Sequence, residues 1–176
     1  MRWLTWEEED QIVALLTQWG LQKLKDGFVV SIDTGIRAGE LGRITPKHIL
    51  KEGLLIPVSK SDSPRVVPLT ERARAVLVSR SANTSPDERL FSGSNWYRDQ
   101  WEKVRSHLEF EDVVWHTLRH TTCSRLIQGG MPLTHVKEWM GHKAIQTTLR
   151  YAHLAPKHLA EGLSLLERET VAERVA

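Results

Sequence analysis

The sequence of 176 residues is 40% hydrophobic with a formal net charge of +2, which fits one domain with a substantial core and excludes a disordered chain. No apolar run approaches the ~20 residues that a transmembrane helix needs, and the acidic stretch at residues 7–10 is unlike a signal peptide. Because Cys123 is the single cysteine, neither an intramolecular disulfide nor a cysteine zinc site can form. We expect a soluble cytoplasmic protein, whose charge is compatible with a polyanionic partner without requiring one.

Two amphipathic helices are predicted in the first 35 residues. Thr5 and Glu8 form the pattern of a capping box, and apolar residues follow at helical spacing. A second apolar stripe begins at Leu21 and stops at Gly35. A short helical turn around Glu40 should come next, broken by a Thr-Pro pair.

The periodicity then changes to that of a small sheet. Short β-like runs at 54–58 and 66–69 flank a polar turn segment, which predicts an antiparallel hairpin. Residues 48–50 are a candidate third strand. Pro57 and Pro68 indicate that the sheet has exposed edges.

From Thr70 onwards the sequence favours helices. Their predicted positions are 70–77, 96–108, 116–128, 133–140, 144–151 and 156–167, with a frayed end at 171–176. The expected fold class is therefore mostly α with a small antiparallel β-sheet (α+β).

Residues that could carry chemistry lie in four segments, of which the first two are weak signals alone. Gly35 allows a sharp turn from which Arg37 emerges at the start of a short helix, with Glu40 one helical turn away. An ordinary surface Arg–Glu pair has the same pattern. Lys60 lies in the hairpin turn, where a lysine is usually only solvated.

The third segment places His116, Arg119 and His120 on one helical face. The two histidines could also be a capping and a core residue. Their i, i+4 spacing would suit a metal, but Thr117 stands where a zinc hydrolase needs a glutamate as general base. We therefore expect neither a metal nor a cofactor.

The fourth segment runs from residue 140 to residue 151. Gly141 should end one helix, His142 should lie in the turn, and Tyr151 should lie near the end of the following helix. A tyrosine at such a place is more often a core or interface residue with a partnered hydroxyl. No segment identifies a function by itself.

Together and in this order, the four segments resemble the signature motifs of tyrosine recombinases, the family of phage integrases and Xer-type resolvases. TGIRAGEL at 34–41 resembles the family's TGxRxxEL motif, and HTLRH at 116–120 resembles its HxLRH motif. The string that begins at Met140 resembles its LGHxxixtTxxYxH motif, and Lys60 falls at the position of the family's hairpin lysine. The similarity covers nearly the whole chain and implies the fold of the family's catalytic domain.

The resemblance implies that Tyr151 attacks a DNA phosphate, forms a 3′-phosphotyrosyl link and frees a 5′-hydroxyl. Arg37 and Arg119 would bind the phosphate oxygens as planar, permanently charged forks, and His142 would add a hydrogen bond. A phenol has a pKa of about 10, so it needs a base at neutral pH, and His116 is expected to be that base or a proton shuttle.

The remaining roles are also implied by the resemblance. Lys60 would protonate the departing 5′-oxygen, with Arg65 as the fallback although arginine is a poor acid. Glu40 and His120 would hold the phosphate-binding residues in place. The covalent link conserves the energy of the phosphodiester, so rejoining needs no ATP.

The family usually places a core-binding domain, and in many phage members an arm-binding domain, before the catalytic domain. We expect residues 1–176 to be a single catalytic domain without these two, either a truncated chain or a natural minimal recombinase. Its partner would be double-stranded DNA at a specific site, bound weakly. The helix and tail at 156–176 would contact a neighbouring protomer in a tetramer on DNA.

A phage or prophage integrase acting on DNA in a bacterial host is our preferred interpretation, and two alternatives stay open. A type IB topoisomerase-like enzyme uses the same set of Tyr, two Arg, Lys and His. A non-catalytic DNA-binding protein on the same fold would be expected to lack Tyr151, Arg37 or Arg119, all of which are present.

Overall fold

The computed structural model describes residues 2–57, 64–91 and 96–156. The first part of the chain contains α1 (Trp6–Gln18), α2 (Gln22–Thr34), α3 (Ala38–Leu41), β1 (Leu54–Ile56) and β2 (Arg65–Val67). The second part contains α4 (Glu71–Ser81), α5 (Arg98–His107), α6 (Trp115–Gln128), α7 (Leu133–Met140) and α8 (Ile145–Leu149). Short 3₁₀ turns occupy Pro46–His48 and Ala152–Leu154. The predicted class, mostly α with a small antiparallel sheet, is confirmed.

Local sequence signals set the helix ends that matter for the site. The capping box of α1 is present: Thr5 Oγ1 accepts from the Glu8 amide at 3.2 Å, and the Glu8 carboxylate accepts from the Thr5 amide at 2.9 Å. α2 ends at Gly35 (φ +68°) and α7 ends at Gly141 (φ +64°), both in the left-handed region. The chain reverses at these two glycines, and His142 follows Gly141 directly while Arg37 comes two residues after Gly35.

The sheet is smaller than the sequence suggests. β1 pairs antiparallel with β2, with Leu54 opposite Val67. The predicted third strand at 48–50 is wrong, because residues 46–48 form a 3₁₀ turn and Ile49 makes a single bridge to Leu54. Proline at the first position of the turn has the φ angle that a helical turn requires, and this local preference outweighs the β-like run.

The core falls into two hydrophobic clusters. The larger one gathers buried side chains from α1, α2, the strands, α4, α5 and the first half of α6, with Phe28 and Leu118 fully buried. The smaller one lies between the second half of α6, α7 and the segment after α8, and its buried members are Cys123, Ile127, Val136, Met140 and Tyr151. α6 contributes to both clusters, so it connects the two parts of the molecule.

A buried carboxylate ties three helices around the larger cluster. Glu9 of α1 is 2% exposed and accepts from Arg72 of α4 and from Arg125 of α6, each at 2.6 Å. Arg72 also pairs with Asp33 of α2. A buried carboxylate with two guanidinium partners is compensated in charge, so this network fixes how the helices meet.

The end of the described chain differs from its prediction in one detail. α8 stops at Leu149, and Tyr151 lies in the turn that leads to the 3₁₀ turn Ala152–Leu154. The predicted helix at 156–167 and the tail at 171–176 fall outside the described residues, apart from residue 156. Of the helices within 2–57, 64–91 and 96–156, none is long and apolar enough to cross a bilayer.

Candidate active site

Arg37 and Arg119 converge on the C-terminal end of α7. Arg119 donates through Nη1 to the Gly35 carbonyl at 2.6 Å and through Nη2 to the Met140 carbonyl. Arg37 donates through Nη2 to the next carbonyl, that of Gly141, at 3.4 Å. Burial, with Arg37 nearby, lowers the pKa of Arg119 to about 10, so the Arg119 guanidinium stays charged at neutral pH.

Glu40 is the carboxylate of the site, and two arginines share it. Its Oε1 accepts from Arg37 Nη1 at 3.1 Å and from Arg65 Nη1 at 3.0 Å. Its Oε2 accepts from the Arg37 amide at 2.8 Å and from Arg65 Nη2 at 3.0 Å. Burial acts to raise the pKa of Glu40, but the hydrogen bonds from Arg65 and Arg37 outweigh it and hold the pKa below its ordinary value.

Arg65 was expected only as a fallback acid, and the structure places it in the site. It also donates through Nε to the Trp139 carbonyl at 3.2 Å, and its side chain is 11% exposed. The sequence does not predict the contact between Arg65 and Glu40, because the two residues are 25 positions apart. No local pattern indicates that β2 begins beside α3. The only signal available was an arginine directly after the hairpin turn.

His116 and His120 lie one turn apart on α6, with ring centroids separated by 4.7 Å at an interplanar angle of 88°. Burial, and after it Arg119 and Arg37, lowers the pKa of His116 below its ordinary value. Burial and the adjacent His116 lower the pKa of His120 to about 4. Both imidazoles are therefore neutral at pH 7.

Tyr151 is almost completely buried, at 4% exposure, and its hydroxyl forms a close hydrogen bond with His120 Nδ1. Burial, and after it the Cys123 thiol, raises the pKa of Tyr151 to about 12. The residue in contact with the hydroxyl is thus His120, which we expected to support the site, and not His116, which we expected to act as base. The sequence could not separate the two histidines because both lie on the same face of α6.

A pocket of about 130 Å³ opens between the arginines and an aromatic wall. Arg37, His116 and Arg119 line its polar side, and Tyr97 stacks on Trp115 at 4.3 Å on the other. Cationic and neutral donors thus face a small cavity, an arrangement suited to an anion.

His142 lies in the turn after Gly141, as predicted, and its Nδ1 is 2.9 Å from the hydroxyl of Thr148, a fully buried residue. Burial, followed by Arg119 and Arg37, lowers the pKa of His142 to about 4. Thr148 fixes the orientation of the ring and leaves Nε2 as the nitrogen available to a ligand.

Lys60 lies outside the described residues, so its assignment stays a prediction. Among the residues that the structure describes, no group of three or more His, Cys, Asp or Glu side chains is placed to hold a metal ion. The His116–His120 pair therefore has no third ligand of these types within the described ranges.

A family model described as the phage integrase family matches residues 2–158. The chain belongs to that family. It is 29% identical over 146 residues to the shufflon-specific DNA recombinase of Escherichia coli, covering 81% of this chain and 38% of that protein. It is 30% identical over 155 residues to tyrosine recombinase XerC of Corynebacterium glutamicum, covering 80% of this chain and 50% of that protein. The chain thus spans half or less of the length of these relatives.

Solved structures agree with the family assignment at the level of the fold. The catalytic domain of bacteriophage HP1 integrase superimposes with a TM-score of 0.75 at 23% identity, over 93% of this chain and 94% of that one. XerH recombinase bound to its difH substrate superimposes with a TM-score of 0.68 at 22% identity, over 94% of this chain and 53% of that one. The expected tyrosine recombinase catalytic-domain fold is confirmed.

Proposed function

We propose that this integrase-family chain is the catalytic domain of a site-specific DNA recombinase, of phage or prophage integrase type, that works through a 3′-phosphotyrosyl intermediate at Tyr151. The observation that carries the proposal is the convergence of Arg37 and Arg119 on two consecutive carbonyls beside a small pocket. Two guanidiniums at one place repel each other, and an anion between them removes the repulsion. A DNA phosphate has the charge and the size for that place.

The arginines would act mainly in the transition state. The non-bridging oxygens of the phosphate gain negative charge as the phenol attacks, and preorganised cations stabilise that charge without reorganising. His142 would donate from Nε2 to the same phosphate, because Thr148 holds its other nitrogen. Glu40 fixes Arg37 by accepting from both its side chain and its amide.

Tyr151 would be held unreactive until DNA binds. A phenol with a pKa of about 12 beside an imidazole with a pKa of about 4 keeps its proton. A phosphate bound at the arginines would favour the protonated form of nearby histidines, so His120 could then accept the phenolic proton and His116 could relay it. Because Tyr151 is 4% exposed, its side chain would have to rotate out of the smaller cluster to reach a duplex.

The covalent step conserves atoms and charge. The oxygen of Tyr151 bonds to phosphorus, the bond from phosphorus to the 5′-oxygen breaks, and that oxygen takes a proton, for which Lys60 is the proposed donor. Attack by a 5′-hydroxyl of another strand reverses these steps. Exchange between two duplexes needs a cut in each of four strands, so we propose a tetramer on DNA, with 156–176 as a protomer contact.

The relatives named above support recombination over the two alternatives. One is a shufflon-specific DNA recombinase and another is the tyrosine recombinase XerC. Neither name points to a topoisomerase or to a non-catalytic DNA-binding protein. The substrate class proposed for this chain is double-stranded DNA with a specific site.

The test uses a nicked suicide duplex that carries a candidate recombination site, with a covalent protein–DNA adduct read on a denaturing gel. The parent protein should form the adduct, and Tyr151→Phe should abolish it because no nucleophile remains. Tyr97→Phe removes the one other phenol of the sequence but keeps the ring that stacks on Trp115 in the pocket wall, so it should still form the adduct even if the rate changes. An adduct that persists in Tyr151→Phe would refute the nucleophile assignment.

A further inference from the structure

We propose that Arg65 is a positioning residue that keeps Arg37 available to the phosphate by occupying Glu40, an inference that rests on the proposed function. Arg65 holds the carboxylate with two parallel hydrogen bonds of 3.0 Å each. The Arg37 guanidinium has one bond to it, of 3.1 Å, on an oxygen that Arg65 also uses. The stronger bidentate pair thus belongs to the arginine that lies away from the pocket lining.

Exposure separates the two arginines in the same way. The Arg65 side chain is 11% exposed, whereas that of Arg37 is 35% exposed. Arg65 is fixed at both ends of its guanidinium, by Glu40 and by the Trp139 carbonyl at 3.2 Å. A side chain held in this way loses little freedom when DNA binds, so it can serve as a permanent counterion for Glu40.

Loss of Arg65 would remove the two side-chain hydrogen bonds that it donates to the buried Glu40 carboxylate. Glu40 is 5% exposed, so water could compensate its charge only partly, and an uncompensated buried charge is costly. Arg37 begins the same helical turn and already touches Oε1, so a small rotation would give it both carboxylate oxygens. Captured in that fork, Arg37 would no longer be directed at the phosphate.

The geometry also explains why the α7–α8 turn tolerates this arginine. A Cβ built on Gly141 would lie 2.8 Å from Arg65 Nη1, so a larger residue there would displace the guanidinium. Arg65 therefore packs against Gly141, whose carbonyl accepts from Arg37. A substitution of Arg65 acts on Arg37 through Glu40, without removing any group from the pocket lining.

The test is suppression by a second substitution. R65Q should slow adduct formation from the suicide duplex by about tenfold or more, because a captured Arg37 would no longer stabilise the charge of the transition state. E40Q alone keeps the acceptor for the Arg37 amide and removes the charge that captures Arg37. The double variant R65Q/E40Q should therefore react several-fold faster than R65Q.

A purely structural role predicts the opposite order. If Arg65 only supports the fold, the double variant should be no faster than R65Q, and that result would overturn the proposal. R80Q with and without D26N is the matched control, since Arg80 holds Asp26 at 2.9 Å and the Leu90 carbonyl at 3.0 Å in a similar buried pair. D26N should give no recovery in the R80Q background when rates are corrected for the folded fraction.

A second measurement separates this proposal from the proposed function, because it needs no DNA. R37Q should lower the urea concentration at the unfolding midpoint by more in the R65Q background than in the parent background. The reason is that capture makes Arg37 the main partner of Glu40. An equal or smaller loss contradicts capture even if the parent cleaves DNA. If no protein forms an adduct but the loss is larger in R65Q, capture stands and the strand-cleaving function fails.

Discussion

The histidines of the site are neutral at rest, and His142 has a measurable consequence for stability. Burial and the two arginines lower its pKa to about 4, compared with about 6.5 in an unfolded chain. As pH falls from 6.5 to 4, the His142 side chain takes up a proton in the unfolded state but not in the folded state. The contribution of the neutral His142 ring to stability is therefore fully present above about pH 6.5 and is lost towards pH 4.

We predict that His142→Gln flattens this part of the pH profile. The free energy of unfolding of the parent should fall between pH 6.5 and pH 4.5, and the variant should lose about 1 kcal/mol less over that range, after allowance for solvent screening of a half-buried ring. Urea unfolding at several pH values measures the difference. Parallel profiles for the two proteins would contradict the lowered pKa.

At the scale of single residues, the sequence predicts the local position of a side chain better than its long-range contacts. Arg37 and His142 follow the glycines that end α2 and α7, and Arg119 lies on α6, as local rules predict. Tyr151, in contrast, lies in the turn after α8 and not in the helix, and the catalytic roles of all four stay predictions. The contact of His120 with Tyr151 and the pairing of Arg65 with Glu40 could not be predicted. Both join segments distant in sequence, and their geometry depends on how whole elements pack.

Gly35, the glycine that ends α2, helps to position the Arg119 side chain through its backbone carbonyl. Gly35 adopts a φ of +68°, its carbonyl accepts from Arg119, and a Cβ there would lie 2.8 Å from Met140 Cε. Gly20, which follows α1, has a similar φ of +64°. A Cβ built on Gly20 would have no neighbouring heavy atom within 4 Å. The two glycines thus separate backbone strain from packing.

Gly20→Ala should cost about 1 kcal/mol of unfolding free energy, the strain of a left-handed alanine. Gly35→Ala should cost about 2–3 kcal/mol, because the methyl also displaces Met140 and disturbs the acceptor of Arg119. Urea unfolding of both variants gives the comparison. Equal losses would mean that Met140 makes room freely and that Gly35 is required for its conformation alone.

Elements were predictable where one local signal dominates. The capping box at Thr5 and the stop at Gly141 place helix ends correctly, and the prediction of 133–140 as a helix agrees with α7. The third strand failed because a proline-initiated turn competes with a weak β-like run. α8 ended before Tyr151, since the sequence after Gly141 contains no capping signal strong enough to define its end.

At the scale of the whole molecule, the proposed nucleophile belongs to the smaller of two clusters. Val136, Met140 and Tyr151 pack there with part of α6, whereas Phe28 and Val30 lie in the much larger cluster. Regions with fewer buried apolar contacts open with lower free energy than the global transition. We therefore expect the smaller cluster to open while the larger one stays folded, which would release Tyr151.

We predict that hydrogen exchange resolves the two clusters. Amides of Val136 and Met140 should exchange through openings of lower free energy than amides of Phe28 and Val30 under native conditions. Mass spectrometry or NMR of the DNA-free protein measures both. A single opening free energy for all four amides would mean that the molecule unfolds as one unit and that Tyr151 needs another route out.

The neutral acceptors of Arg119 have a further consequence for how the protein behaves in solution. Arg119 donates to the carbonyls of Gly35 and Met140, which are neutral acceptors, and its charge lies near that of Arg37. The repulsion between these two guanidiniums opposes folding, and an anion bound between them would reduce it. We therefore expect small oxyanions such as sulfate and phosphate to stabilise the fold and, under the proposed function, to compete with DNA for the same place.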